Sequence, residues 1–445
     1  MNYKIKSALN DFWYSKARYF FSIAYLMLAR LSILMGNKKK AFKFSAASLR
    51  YGTSSSALIL FKKIVSNYTF SLDEFSSGIE IKEASGRTMV LKWPTIQDRI
   101  IVKGVLAIKF TKTFSYYLRN IDIESLERYF ILVLEPSWSG YADPDIFGFV
   151  GRSKKIIVQA SELEDRVLLN CFPETFIGAS FGASDWVDFR LFDDLKAEKI
   201  YDSIYIANTN PIKRVKRYLE AVAKIVKSGN DTYIGCLVCA SWGGAESLVK
   251  DLVASYHLND NLVVRFSVGR SDVVRYINQS KVNVLLSYKE GSNKSLFEAM
   301  FCNTPVICLS ENIGVSKSYI NEYTGLLIPD HLLESSLLWI GDNYSRFNPR
   351  LWALHNIAPP VTIKKLEGII CLLDECASDM PLYIKTNNPE YSYFDFPWIN
   401  AKYYSESLLK LFDTNLQSAQ VEQEIELISL KNKFLESLQD KQQSI

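Results

Sequence analysis

The stretch from Val282 to Cys308, VNVLLSYKEGSNKSLFEAMFCNTPVIC, constrains the fold more than any other part of this chain. It reads as a buried strand ending at Ser287, a polar turn over Tyr288–Ser292, a helix from about Asn293 to Phe301, and a second apolar strand over Pro305–Cys308. Strand, tight turn, helix, strand is one βαβ step, and such steps build a parallel sheet. Two carboxylates sit on it, Glu290 in the turn and Glu298 on the helix, with seven residues between them. Ligands of open parallel sheets bind beyond the carboxyl ends of the strands, and Glu290 falls at such an end.

This arrangement suits a nucleotide diphosphate. The first turn of the helix presents unpaired N–H groups and the positive end of its dipole, both favourable to phosphate. Gly291, Ser292, Asn293 and Ser295 are small or polar, so a phosphate can approach the backbone. A carboxylate only accepts hydrogen bonds, and its two oxygens suit the two hydroxyls of a ribose diol or of a sugar. Glu298 is therefore the candidate for the ribose, and Glu290 for the transferred sugar.

Taken with its surroundings, the stretch resembles the EX7E region of retaining glycosyltransferase family 4, whose members have the two-domain GT-B fold. The resemblance rests on Ser287, Glu290-Gly291, Ser295-Leu296, Glu298-Ala299-Met300, Thr304-Pro305-Val306-Ile307, Gly314 and Thr324-Gly325-Leu326-Leu327. Two Glu at this spacing would mean nothing alone, since surface helices carry such pairs constantly. The resemblance covers about 200–330. It implies an α/β protein with two Rossmann-like domains facing a cleft, the second binding the nucleotide-sugar. It further implies sugar transfer with retention of configuration, no required metal and no cofactor beyond the nucleotide-sugar co-substrate. Acceptors in the family include lipid-linked glycans, polysaccharides and small molecules, and the departing phosphate itself helps to deprotonate the acceptor.

Family members carry an Arg just after the first strand of the donor half and a Lys five residues later. Lys213 matches the Lys, whereas Asn208 stands at the Arg position, which is a departure. Arg214 is adjacent and is the candidate replacement. The physical need is that a leaving diphosphate gains negative charge, which fixed cations stabilise. The bland alternative is a solvated basic helix face with Lys216, Arg217 and Lys224.

With 445 residues the chain exceeds one ordinary core, so two domains are expected. A net charge of +4 does not indicate a nucleic-acid binder. The seven Cys have no scaffold spacing. Cys236-x-x-Cys239 lies in an apolar run with no second pair to complete a zinc site, so buried thiols in a reducing cytosol are the reading. Three His without ligand spacing add no metal site.

In chain order, residues 1–68 read as an N-terminal helical segment. The apolar run Tyr19–Ala29, bounded by Arg18 and Arg30, is too short to span a bilayer and has no cleavage site after it. Gly36–Lys40 reads as a basic turn and Ala41–Tyr51 as a second helix, faintly like one tetratricopeptide unit. Such a hairpin must pack on the body or on a protein partner. The alternative is a membrane-surface helix, given Lys4, Lys6, Lys16, Arg18 and Lys38–Lys40 beside Phe12, Trp13, Tyr14, Phe20 and Phe21.

Residues 91–195 read as a Rossmann-like acceptor domain, with strands in Arg99–Phe110, Tyr129–Leu134 and Lys155–Gln159. No G-x-G-x-x-G follows a strand, which disfavours a nicotinamide dehydrogenase. The loop 135–145 follows a strand end and supplies Ser137, Trp138 and Asp143 as acceptor-side candidates. Its Asp143-Pro144-Asp145 is open to three readings: a plain turn, an acceptor loop or a metal site. Residues 196–385 read as the donor domain, loop-rich over Trp339–Pro360. Residues 386–445 read as helices crossing back, with an amphipathic tail over Val421–Leu438.

The sequence therefore predicts a cytoplasmic glycosyltransferase, free or at the inner face of the membrane, that acts in surface-polysaccharide assembly. Its partners are a nucleotide-sugar and a glycan or lipid-linked acceptor, with membrane or protein contact through residues 1–60. The rivals are a GT-B sugar-nucleotide epimerase or hydrolase and a non-catalytic scaffold, to which Asn208 at the Arg position lends support.

Overall fold

The structure, a computed structural model, describes residues 3–14, 17–80, 83–84, 87–92, 94–97, 100–240, 245–373 and 382. The expected C-terminal helices and amphipathic tail over 386–445 lie outside these residues. The chain divides into two compact units, one of residues 21–182 together with those from Ile363, the other of residues 1–20 and 183–362.

The first unit holds strands β1 (Thr88–Lys92), β2 (Thr95–Gln97), β3 (Ile100–Val102), β4 (Gly104–Lys109), β5 (Phe130–Glu135), β6 (Ile156–Gln159) and β7 (Phe176–Ala179). β4 to β7 are parallel and lie in chain order, and β1 adds an antiparallel edge beside β4. The sequence reading starts this sheet at its first parallel strand and misses β1, an edge strand that precedes the first βα step, the short β2–β3 hairpin and the last strand, β7. β5 and β6 are buried along their whole length, the hallmark of strands covered on both faces.

Four helices precede this sheet: α1 (Tyr3–Tyr14), α2 (Ala17–Leu34), α3 (Lys38–Tyr51) and α4 (Ser55–Val65). α3 and α4 pack into the core of the first unit through Phe42 and Phe61, with Phe61 edge-on to Phe147 at 4.9 Å. Body packing is thus the fate of the hairpin's inner face. Two expectations need correction. Lys38–Lys40 form the first turn of α3, because the Asn37 side chain accepts the Lys40 N–H at 3.0 Å and caps the helix there. α2 runs 18 residues with mean hydropathy 1.3, long and apolar enough by length and composition to cross a membrane. Arg18 and Arg30 fall inside this helix rather than bounding it.

The second unit is a six-stranded parallel sheet of β8 (Ser203–Ala207), β9 (Gly235–Cys239), β10 (Leu262–Phe266), β11 (Asn283–Leu285), β12 (Val306–Leu309) and β13 (Gly325–Ile328). Its spatial order is β10-β9-β8-β11-β12-β13, so the chain winds one way from β8, returns, and winds the other way from β11. That is the doubly wound order, with its switch point between β8 and β11. Helices cover both faces. Val215–Lys227 and Leu333–Asn343 close one core, and Lys294–Phe301 and Pro349–Asn356 the other.

The unit begins at Ala183 rather than near 196, because Val187 and Phe192 are buried in the core on one face of its sheet. It also takes the first 20 residues, so the single N-terminal segment 1–68 is divided. Trp339–Pro360 is largely helical, not loop-rich. Pro349 opens the helix Pro349–Asn356 behind the Asn348 cap, and Pro359 opens Pro359–Cys371. At the first helical position a proline loses no hydrogen bond, so these prolines start helices rather than break them.

Candidate functional site

Two of the side chains that the sequence singles out in the second unit, Lys213 and Glu290, meet at its switch point. β8 ends at Ala207, and Asn208 folds back to accept the Asn210 N–H at 3.0 Å. Asn210 in turn accepts from the Ile212 N–H, capping a 3-10 turn over Pro211–Lys213. Arg214 follows with φ of 55°, and the helix Val215–Lys227 begins. The Tyr205 hydroxyl donates to the Lys213 carbonyl, and the Tyr288 N–H to Ile212 O at 3.0 Å. The turns after β8 and β11 are thereby stitched together.

Lys213 closes this junction. Its ammonium donates to both Glu290 oxygens, at 2.7 and 2.6 Å. The pair is sheltered, with side-chain exposure of 22% for Lys213 and 7% for Glu290. The Ser287 hydroxyl also donates to Glu290, and the Glu290 N–H donates to Ile313 O at 2.7 Å. Asn312 braces the turn from below, donating to Ser287 O at 2.7 Å. Gly314, part of the sequence pattern, takes φ of 100°, which a residue with a Cβ rarely adopts.

The helix Lys294–Phe301 opens beside this pair. The Asn293 side chain accepts the Leu296 N–H at 3.1 Å and the Ser295 hydroxyl at 2.8 Å, so it is an N-cap. Gly291 sits in the turn ahead of it, partly exposed. Ser292 bonds Ser184, accepting its N–H at 2.8 Å, which ties the entry of the second unit to the turn. Glu298 lies half-buried on the second turn of the helix.

Arg214 is engaged elsewhere. Its guanidinium pairs with Asp330, donates to Leu286 O at 3.5 Å and lies 4.3 Å from the Tyr288 ring centroid. Asp330 and Glu334 also bind Arg217, at 2.8 Å each. The sequence reading places no role on Asp330, Glu334 or Tyr288. The available signal was position, since Asp330 follows the carboxyl end of β13.

Burial opposes ionisation of Glu334, yet its hydrogen bonds from Arg217 dominate and hold its carboxyl at about 2. A depressed folded-state pKa contributes stability that is complete above the unfolded value and is lost as pH falls through the folded one. The melting temperature is therefore expected to drop as pH falls from 4.5 towards 2. Glu334→Gln should flatten that part of the profile.

α1 lies against the same corner. Tyr14 stacks on Tyr288 at 5.1 Å, and the Tyr288 hydroxyl donates to Asp11 at 2.6 Å. A cavity of about 170 Å³ remains between α1 and the turns, lined by Asp11, Tyr14, Arg214, Tyr288, Asn312 and Asp330 among others. The side-chain amide oxygen Oδ1 of Asn312 is buried and has no hydrogen-bond partner among the described residues.

The acceptor-side candidates lie on the first unit. Ser137 and Thr111 exchange hydrogen bonds at 3.1 and 3.3 Å, and Trp138 is half-buried. Asp143 caps the helix Pro144–Phe147 through the Asp145 N–H and pairs with Arg50 at 3.0 Å, while Asp145 accepts from the Ser76 N–H. The D-x-D is thus a helix start, close to the plain-turn reading. Cys236 and Cys239 are buried in β9, where desolvation pushes their thiols up to about 12 and about 11.

Residues 189–339 match the family model described as "Glycosyl transferases group 1", which covers most of the second unit. An N-acetyl-alpha-D-glucosaminyl L-malate synthase of Bacillus anthracis is 31% identical over 121 residues, 27% of this chain and 29% of the relative. The match therefore spans under a third of that protein. Among solved structures, a mutant of S. aureus TarM in complex with Fondaparinux, alpha-GlcNAc-glycerol and UDP is similar over 59% of each chain at 16% identity, with a TM-score of 0.44. Sucrose-phosphate synthase of Thermosynechococcus elongatus is similar over 61% of this chain and 74% of its own, at 16% identity and a TM-score of 0.45.

Proposed function

We propose that this chain is a glycosyltransferase of the family 4 type, moving a hexosyl group from a nucleotide-sugar to a glycan or lipid-linked acceptor with retention of configuration. The observation that carries this reading is the Lys213–Glu290 pair at the switch point of a doubly wound sheet, one turn ahead of a capped helix start. Lys213 is the cation for the leaving diphosphate, and the first turn of Lys294–Phe301 is its backbone cradle. Donor binding places the diphosphate against Lys213 and frees Glu290 to accept hydroxyls of the sugar. Glu298 takes the ribose diol. The departing phosphate accepts the proton of the acceptor hydroxyl, so the reaction needs no protein base and no metal. The setting is cytoplasmic assembly of surface polysaccharide.

Calorimetric titration with UDP, GDP and ADP, and with their sugar derivatives, tests this. An N-acetylglucosaminyl donor is the first to try, given the name of the Bacillus relative. One nucleoside diphosphate should bind, and its sugar derivative should be consumed only when an acceptor is present. Turnover without acceptor would favour a hydrolase, and no binding at all the scaffold. Glu298→Ala should weaken the diphosphate by about 1.5–3 kcal/mol, since a hydrogen bond to a charged acceptor is lost. Unchanged affinity would remove Glu298 from the ribose.

A further inference from the structure

We propose that α2 is a lipid-docking element that seats the protein on an anionic membrane surface. The proposal is independent of the sugar-transfer reading. α2 is held to the body along one narrow seam. Its buried residues are Ser22, Leu26, Ala29 and Ser32, spaced three or four apart and so on one face. Small side chains let α3 come close. Ser22 donates to Ser48 O at 3.0 Å, and Ser48 returns a bond to Ser22 O at 2.8 Å.

Among the described residues, the opposite face of α2 is apolar and exposed. Ile23, Met27, Leu31 and Leu34 follow the same three-and-four spacing, and every one of them is more than half exposed. A helix with one packed seam and one exposed apolar stripe, flanked by basic residues, is built to lie in a membrane interface rather than to cross it.

Charge identifies the occupant. Between Asp11 and Asp73 the chain has no acidic residue, yet it carries Lys16, Arg18, Arg30, Lys38, Lys39, Lys40, Lys43, Arg50, Lys62 and Lys63. Arg30, Lys38, Lys39, Lys40 and Lys43 are exposed. Lys39 also touches Asp73 at 2.9 Å, an open pair that water screens. Two copies meeting through this face would bring like charges together, whereas an anionic bilayer offers the apolar face hydrocarbon and the cations headgroups.

Flotation of the full chain with vesicles of phosphatidylcholine, with and without phosphatidylglycerol, tests this. The protein should float with the anionic vesicles at low salt, stay behind with the neutral ones, and be released by added salt. Ile23→Glu with Leu31→Glu should abolish flotation without lowering the melting temperature, because both side chains are already exposed. Lys38→Gln, Lys39→Gln and Lys40→Gln together should weaken binding about a hundredfold. The proposal is overturned if the intact protein ignores anionic vesicles, binds neutral ones equally, or stays bound regardless of salt. It is overturned too if the stripe variant merely splits a dimer that has no vesicle affinity.

Discussion

Lys213→Ala is expected to lower turnover by a factor of about a hundred to a thousand while changing donor affinity far less. On the proposed function, the cation matters most when the diphosphate departs, which is a transition-state interaction. The substitution also strips Glu290 of its ion partner in a sheltered place, where the carboxylate keeps only 7% exposure. Some loss of stability follows, since an uncompensated buried charge is costly. Pairing Lys213→Ala with Glu290→Gln separates the two effects. The melting temperature should recover in the double variant, but turnover should not. If only the Michaelis constant rises and turnover holds, the leaving-group role of Lys213 is wrong. Arg214→Ala makes a contrast. Its guanidinium bridges Asp330, Leu286 O and the Tyr288 ring, so its loss should first lower the melting temperature.

The local steps of this fold are legible in the sequence because they depend on neighbours in the chain. Strand, turn and helix around Glu290 follow from apolar runs and from Asn293 as a cap. The strand order does not follow from such patterns. Nothing in the residues of β8 says that its neighbours are β9 and β11, and only that adjacency brings Lys213 to Glu290 across 77 positions. The prolines mislead for a related reason. Pro349 and Pro359 punctuate the chain, and only the helices behind them show that they are starts rather than stops. Arg214 has the composition of a phosphate ligand, but Asp330, 116 positions away, claims its charge in this structure. The exposed stripe of α2 was visible only as an apolar run, because which side packs on α3 is a tertiary fact.

Gly325→Ala is expected to destabilise the second unit by about 3 kcal/mol or more, a loss reserved for backbone strain and core clashes. Gly325 opens β13 and pairs with Val306 of β12. Its φ is 153°, and a Cβ built there would lie 1.9 Å from the Val306 carbonyl oxygen and 2.7 Å from its nitrogen. Backbone cannot swing aside as a side chain can, so β13 would have to leave β12. Thr324 holds the glycine in place, donating to Tyr319 O at 2.7 Å while its own carbonyl accepts the Val306 N–H at 3.0 Å. The damage should reach the site, because Asp330 follows β13 and carries the links to Arg214 and Arg217. Urea unfolding should show a lower midpoint, and whatever nucleotide affinity the native chain has should fall with it. Gly341→Ala is the control. Gly341 sits inside the helix Leu333–Asn343 with open space around its Cβ position. There the same substitution should stabilise by about 0.5–1 kcal/mol, because alanine loses less backbone freedom in a helix. If both changes proved neutral, the close approach of β13 to β12 at Gly325 would be wrong.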